Sequence, residues 1–333
     1  MSNLLEKMSR EIPQISIVIP AHNEDGNIRA LYEKLSATLG SLAMTAEIIF
    51  VDDGSTDRTW EEIGFLHGND PSVKGIRLSR NFGHQYALLA GLTYAVGNAV
   101  ISMDADLQHP PHVIADLVSE WKRGNKIVTT VRIDPEDFNF VKKAAARIFY
   151  RVFSLLSGVK VESGMADFRL LDREVLNNIL QFREESLFLR GLIQWVGYPN
   201  STVTFQCSNR YSGSSKYSMK KMVRFALDGI TSFSIIPLRA GILLGFITSV
   251  ISFSGILYAL YGKLFTEDPM PGWASSIAIL SFLLGILFIL LGLLGEYIGR
   301  ILLEVKRRPR FLVSDKVGVD RTYDQTPVLS NKL

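Results

Sequence analysis

Two carboxylates one residue apart, Asp104 and Asp106, follow the short apolar run Ala99–Met103 and are followed in turn by Gln108. Neighbouring carboxylates at the end of a buried strand repel each other unless a cation lies between or beside them. Oxygen donors favour Mg²⁺ or Mn²⁺, and magnesium commonly takes one or two carboxylates and completes its shell with substrate phosphates. Gln108 offers a carbonyl oxygen to such a cation, or a contact to the phosphate. A D-x-D triplet alone is a weak signal, and its plain alternative is a solvated turn ahead of the helix start at Pro110-Pro111. Asp52-Asp53-Gly54-Ser55 closes a second apolar run, Glu47–Val51, in the same manner. A carboxylate there can accept hydrogen bonds from a ribose or a base edge, or cap a helix. Pro20-Ala21-His22-Asn23-Glu24 closes a third run, Ile15–Ile19, which brings Glu24 towards the same crevice. His109 and His112 have a spacing that zinc can use on a helix, but no cysteine stands near them and the Pro pair marks a helix start.

The elements that position these clusters alternate. Ile15–Ile19, Glu47–Val51, Val73–Leu78, Ala99–Met103 and Lys126–Val131 are short and rich in Val and Ile, which predicts strands. Ile28, Leu31, Leu35 and Leu39 recur at helical spacing, and Thr56–Leu66, Gln85–Val96 and His112–Arg123 are predicted as further helices. Strand and helix in alternation predict an α/β layer with a largely parallel sheet, whose ligands bind beyond the carboxyl ends of the strands. The polar clusters follow Ile19, Val51 and Met103, where that rule puts a site.

The 333 residues suffice for about two domains. A net charge of +3 is too small to suggest nucleic-acid binding. Charged residues at 21% and aromatic residues at 10% argue against disorder. Cys207 is the only cysteine, which excludes an intrachain disulfide and a Cys-rich zinc site. Mean hydropathy is high, +0.17, because the apolar residues are concentrated. Ala240–Tyr261 and Ser275–Gly295 carry no charge, and each covers about 30 Å as a helix, the thickness of a bilayer core. They predict two membrane spans. The N-terminus has no apolar stretch of a secretory signal. Lys220, Lys221, Arg224 and Arg239 precede the spans, and Arg300, Lys306, Arg307, Arg308 and Arg310 follow them, whereas the loop between holds Lys263 against Glu267 and Asp268. The positive-inside rule then puts both termini in the cytoplasm. Basic and apolar residues interleave over 138–157, as in a helix lying in the membrane interface, and 217–235 is a second candidate. The stretch after Arg310 is polar and is expected to be partly disordered.

Six segments in one order carry a resemblance: SIVIPAHNEDGNI, EIIFVDDGSTDRT, LSRNFGHQYALLAGL, ISMDADLQHPP, SGMADFRLLDREV and RYSGSSKYS. Together they resemble the polyprenyl-phosphate glycosyltransferases, an inverting GT-A group that includes dolichol-phosphate mannose synthases and bactoprenol glucosyltransferases. The resemblance covers residues 14–235, and the paired C-terminal spans are similar to the bacterial glucosyltransferase branch. It implies a Rossmann-like GT-A catalytic domain over 1–236 with interfacial amphipathic helices, two transmembrane helices over 237–301 and a cytoplasmic tail over 302–333. It also implies roles. Pro20, Ala21, Glu24 and Asp53 hold the nucleoside; Asp104, Asp106 and Gln108 hold Mg²⁺ or Mn²⁺ and the donor diphosphate. Asp167 lies near the transferred sugar, as an orienting group or a base, and Arg132, Arg210, Ser215 and Lys216 bind phosphate. The partners implied are a nucleotide sugar, polyprenyl phosphate and the lipid bilayer of a bacterial inner membrane. Small residues Gly285, Gly292 and Gly295 in the second span suit self-association into a homo-oligomer. Gln194-Trp195 lacks the Q-x-x-R-W spacing of processive relatives, which implies one sugar per turnover. UDP-glucose is the expected donor, with GDP-mannose and a UDP-aminoarabinose derivative as alternatives. A membrane-tethered nucleotide-sugar sensor and a regulated lipid translocator are the readings from other classes.

Overall fold

A computed structural model of the chain describes residues 13–133, 165–182, 184, 189–206, 236–265 and 272–319. The five predicted strands and four predicted helices form, with small shifts at their ends. They are β1 (Ile15–Ala21), α1 (Asp25–Leu42), β2 (Ala46–Asp52), α2 (Thr59–Asn69), β3 (Val73–Leu78), α3 (His84–Tyr94), β4 (Ala99–Ser102), α4 (Val113–Lys122) and β5 (Ile127–Ile133). The largest shift is at α2, expected from Thr56. Asp57 accepts hydrogen bonds from the Thr59 N–H (3.0 Å) and hydroxyl (2.6 Å), so the chain stays in a turn until Thr59.

Strands β4, β1, β2 and β3 run parallel and side by side. The runs of β4, β1 and β2 are nearly continuously apolar because both faces are covered, whereas β3 carries the half-buried Lys74 and Arg77. Ile17, Ile19, Ile48 and Phe50 pack on one face with Leu31, Leu35, Ile63 and Ile114 of α1, α2 and α4. Val18, Ile49 and Val51 pack on the other with Ala87, Leu88 and Leu92 of α3. Gly91 of α3 permits the close approach, since a Cβ there would meet the Val18 and Val51 side chains of β1 and β2.

Three strands lie outside the sequence reading. β6 (Met165–Asp172) inserts antiparallel between β4 and β5, and β7 (Asn200–Gln206) pairs parallel with β5. Short helices α5 (Arg173–Ile179) and α6 (Leu189–Trp195) follow β6. After Arg310, in the stretch expected to be partly disordered, Val313–Val317 forms β8, antiparallel on the outer edge of β3, while residues 320–333 lie outside the described residues. The Leu312 carbonyl accepts from the Ser79 N–H at 2.9 Å, and Phe311, 4% exposed, joins the α3-side core. The eight-stranded order is β7-β5-β6-β4-β1-β2-β3-β8.

The described residues 236–265 and 272–308 belong to a second compact unit, with two long helices in it. α7 (Ile236–Phe265) has 30 residues and α8 (Trp273–Lys306) has 34. Both expose large apolar side chains, such as Ile242 and Phe246 on α7 and Phe288 and Ile289 on α8. Among the described residues Phe282–Lys306, with mean hydropathy 2.2, is long and apolar enough to cross a membrane, while the apolar stretch Gly241–Gly255 is shorter. One span of the two expected therefore meets the length and hydropathy required.

Candidate active site

The carboxyl ends of β1 and β2 are stitched to each other. The Ala21 carbonyl accepts from the Asp53 N–H (2.9 Å), the Asp53 carbonyl accepts from His22 Nδ1 (2.9 Å), and the Ser55 hydroxyl accepts from the Asn23 N–H (3.0 Å). Pro20 and Ala21 thus end β1 beside the turn that carries Asp53. Glu24 lies one residue before α1, where its carboxylate accepts from Asn27 Nδ2 at 2.6 Å. Asp53 is 3% exposed, and its two oxygens accept the N–H groups of Phe82 (2.7 Å) and Gly83 (2.9 Å). Gly83 has φ +103°, a conformation glycine adopts without strain, and it turns the chain into His84, the first residue of α3.

The loop after β4 carries Asp104, Asp106 and Gln108. The Asp106 carboxylate accepts the Gln108 N–H at 3.1 Å across Leu107, which has φ +61°. A left-handed leucine is uncommon and costs about 1–3 kcal/mol; here its side chain, 5% exposed, is held in the core. His109 turns inward, stacked on Phe168 with centroids 5.1 Å apart. Its Nδ1 accepts the Asp104 N–H at 3.0 Å, so Nε2 bears the proton and faces Asp104 Oδ2 at 3.7 Å. His109 is therefore a core ring behind Asp104.

β6 brings Asp167 to the same crevice, 6% exposed, and the Ser102 hydroxyl of β4 donates to its carbonyl at 2.5 Å. Arg190 of α6 grips its carboxylate with two bonds, Nε to Oδ1 (3.0 Å) and Nη2 to Oδ2 (2.8 Å). Arg169, two residues on and on the same face of the strand, donates to Oδ1, and Gln85 Nε2 donates to Oδ2 at 3.4 Å. His84 Nε2 stands 3.5 Å from Asp167 Oδ2 and 3.5 Å from Asp104 Oδ1. Burial alone would raise the Asp167 carboxyl, but the charge of Arg169, with His84 and Arg190, outweighs it and holds the group well below the usual carboxylate range. Burial works against a charged His84 as well, yet the bond to Asp167 and the charges of both aspartates raise it above an ordinary histidine.

The structure thus joins Asp53, Asp104 and Asp167 through the Phe82–His84 segment, with Asp106 and Gln108 in the adjoining loop. Arg132 is exposed near the end of β5, while Arg210, Ser215 and Lys216, like the amphipathic stretches 138–157 and 217–235, lie outside the described residues. His84, Arg169 and Arg190 are functional candidates without a role in the sequence reading. His84 stood in a quoted motif and Arg169 two positions from Asp167, but nothing local marks Arg190.

The donor set at Asp104 and Asp106 fits a divalent cation. Asp104 Oδ1 is buried and makes no hydrogen bond. Among the described residues no three His, Cys, Asp or Glu side chains converge as a complete cage, so two carboxylates would be completed by substrate phosphates and water, as magnesium commonly is.

Residues 16–180 match the family described as glycosyl transferase family 2. An uncharacterised glycosyltransferase of Bacillus subtilis, YkcC, is 41% identical over 94% of this chain and 97% of its own length. An uncharacterised glycosyltransferase of Synechocystis is also 41% identical, over 92% and 96%. The SfII prophage-derived bactoprenol glucosyl transferase of Shigella flexneri is 38% identical over 90% of this chain and 97% of its own. Identity at that level along nearly the whole of each chain, with the D-x-D loop and the strand-end clusters in place, makes this chain a member of glycosyl transferase family 2, of the kind that includes the bactoprenol glucosyl transferases.

Proposed function

We propose that the protein transfers one glucose from UDP-glucose, with inversion, to a polyprenyl phosphate such as undecaprenyl phosphate at the cytoplasmic face of a membrane. The observation that carries this reading is the similarity, over 90% of the chain, to a bactoprenol glucosyl transferase. Pro20, Ala21, Glu24 and Asp53 take the nucleoside at the ends of β1 and β2. Asp104 and Asp106, with Gln108, hold Mg²⁺ or Mn²⁺. That cation, when bound, neutralises the charge that develops on the departing diphosphate.

The acceptor needs little activation. The second pKa of a phosphate monoester is about 6, so a lipid phosphate is largely ionised at neutral pH. A general base therefore has less to do than it would for a sugar hydroxyl. Asp167 agrees with this: a carboxylate engaged by two guanidinium groups and held ionised is a poor proton acceptor and a well-fixed hydrogen-bond acceptor. It orients the sugar or the acceptor pocket, and does not act as the base. The harder task is bringing two anions together, which Arg132, Arg210, Ser215 and Lys216 serve by binding phosphate, the arginines bidentately. Helices α7 and α8 act as the two membrane spans. Each buried methylene of a polyprenyl tail favours the membrane by about 0.8 kcal/mol, so the phosphate stays at the headgroup level, where the catalytic domain must meet it.

The test is a donor panel with the purified full chain, polyprenyl phosphate and Mg²⁺ or Mn²⁺, following glycolipid formation beside an Asp106→Ala control. Product from UDP-glucose alone supports the proposal. Product from GDP-mannose or a UDP-aminoarabinose derivative keeps the class and changes the sugar. Nucleotide-sugar binding with no product from any donor replaces the transferase by a sensor.

A further inference from the structure

Asp167 is held by two cations that do different things. Arg169 is 1% exposed and donates to Oδ1, so it compensates the buried carboxylate charge from within the same strand. Arg190 is not needed for that, since its side chain is 30% exposed and comes from a separate element. Leu189, Leu192 and Ile193 recur at helical spacing and are buried, which anchors α6 in the core beside Arg190. Among the described residues, Arg190 is the one that bonds both carboxylate oxygens, Nε to Oδ1 at 3.0 Å and Nη2 to Oδ2 at 2.8 Å. A single bond leaves a carboxylate to rotate about Cβ–Cγ, whereas a two-bond fork fixes its plane.

The fork also decides which acceptor site is left for a ligand. A carboxylate has about four lone-pair sites. Arg169 and the Arg190 fork take both sites of Oδ1 and one of Oδ2. The other site of Oδ2 is met by Gln85 Nε2 at 3.4 Å, long for an N–H···O bond, with His84 Nε2 at 3.5 Å. The His84 side chain is 42% exposed, so this is the side of the carboxylate that opens to the crevice. We propose that Arg190 is a positioning residue: its fork fixes the plane of the Asp167 carboxylate so that Oδ2 accepts a hydroxyl of the transferred sugar. The sugar rests on the transferase reading above; the fork itself does not.

The experiment uses the full chain in detergent, with Arg190→Lys, Arg190→Gln, Asp167→Asn and the double variant Asp167→Asn with Arg190→Gln. A misplacement of about 1 Å can cost about 100-fold in rate. Both Arg190 variants are expected to lower kcat by about that factor, with the donor KM within about 3-fold, because lysine keeps the charge and loses the fork. Their melting temperatures should stay within about 4 °C of the starting protein, since a partly exposed pair adds little stability. In the Asp167→Asn background, Arg190→Gln should lower kcat by no more than about a further 3-fold. A second readout needs no activity: modification of Arg190 by phenylglyoxal, followed by mass spectrometry, should be faster in Asp167→Asn than in the starting protein.

Near-normal kcat in Arg190→Lys overturns the proposal, because charge alone would then suffice. Losses that multiply in the double variant also overturn it, because Arg190 would then touch the substrate itself. A large fall in melting temperature with kcat kept would make Arg190 structural. If the starting protein transfers no sugar from any donor, the transferase reading fails, and the labelling alone decides the fork: equal rates overturn it, and faster labelling of Asp167→Asn upholds it.

Discussion

Asp167→Asn keeps the shape of the side chain and removes its charge, which makes it the sharpest test of the buried ion cluster. Arg169 is 1% exposed, and its Nε and Nη1 have no hydrogen-bond partner in the structure. The Asp167 carboxylate compensates its charge directly, and with that charge gone the guanidinium cannot turn out to water. Breaking a buried pair by neutralising one partner costs about 3–5 kcal/mol. Arg190 adds little to this figure, because its side chain is 30% exposed and rehydrates. For a domain of this size each kcal/mol lowers the melting temperature by about 2–4 °C, so the expected loss is about 6–20 °C. The assay is thermal unfolding of the detergent-purified chain at pH 7, followed by circular dichroism. A companion variant, Asp167→Asn with Arg169→Met, removes the stranded charge as well. It should recover more than half of the lost stability and none of the lost transfer, since the orienting carboxylate is still missing. A single variant that melts within about 2 °C of the starting protein would refute the reasoning. So would a double variant no more stable than the single one.

Four further outcomes follow from the same geometry. Asp106→Ala should abolish metal-dependent glycolipid formation while costing only about 0.5–1.5 kcal/mol of stability for the lost bond to the Gln108 N–H, and near-normal transfer by the purified variant would remove Asp106 from the metal site. Phe311→Ala should destabilise the catalytic domain by about 3–5 kcal/mol in denaturant titration, because a core aromatic is lost from the segment that seats β8. A cost below about 1 kcal/mol would mean that the segment is not held there. Gly91→Ala should cost about 1–3 kcal/mol, since the added methyl group must push against Val51 Cγ2 at 2.9 Å as well as Val18; a neutral result in the same titration would contradict the close approach of α3. The Asp167 carboxyl is lowered on folding, so its contribution to stability is complete above the unfolded value of about 3.9 and is lost as pH falls through the folded value. Melting temperature should therefore fall more steeply below about pH 4 in the starting protein than in Asp167→Asn, and equal slopes would defeat the assignment.

What was legible in the sequence, and what was not, follows from where the stabilising interactions come from. β1, β2 and β4 are buried on both faces, so their residues must be mostly apolar and the sequence shows it as runs such as Ile15–Ile19 and Ile48–Val51. The strand-end clusters were legible for the same reason, since a carboxylate just after such a run is already at the carboxyl edge of the sheet. β7 and β8 are edge strands. Most residues of β8 are exposed, and it holds to β3 by backbone pairing from Gly75–Val317 to Leu78–Val313, which leaves no apolar pattern in Val-Ser-Asp-Lys-Val.

β6 was hidden for the opposite reason. It lies deep in the sheet, yet it carries Asp167 and Arg169, two residues that single-sequence reasoning assigns to solvent. They can be buried because they face each other and because Arg190, from another element, completes the pairing. The motif around Asp167 marked the residue and did not decide between an orienting group and a base. That choice depends on Arg190, 23 positions away and brought back by α5 and α6. The identity of a carboxylate can be read from its neighbours in sequence, but its protonation state belongs to its neighbours in space.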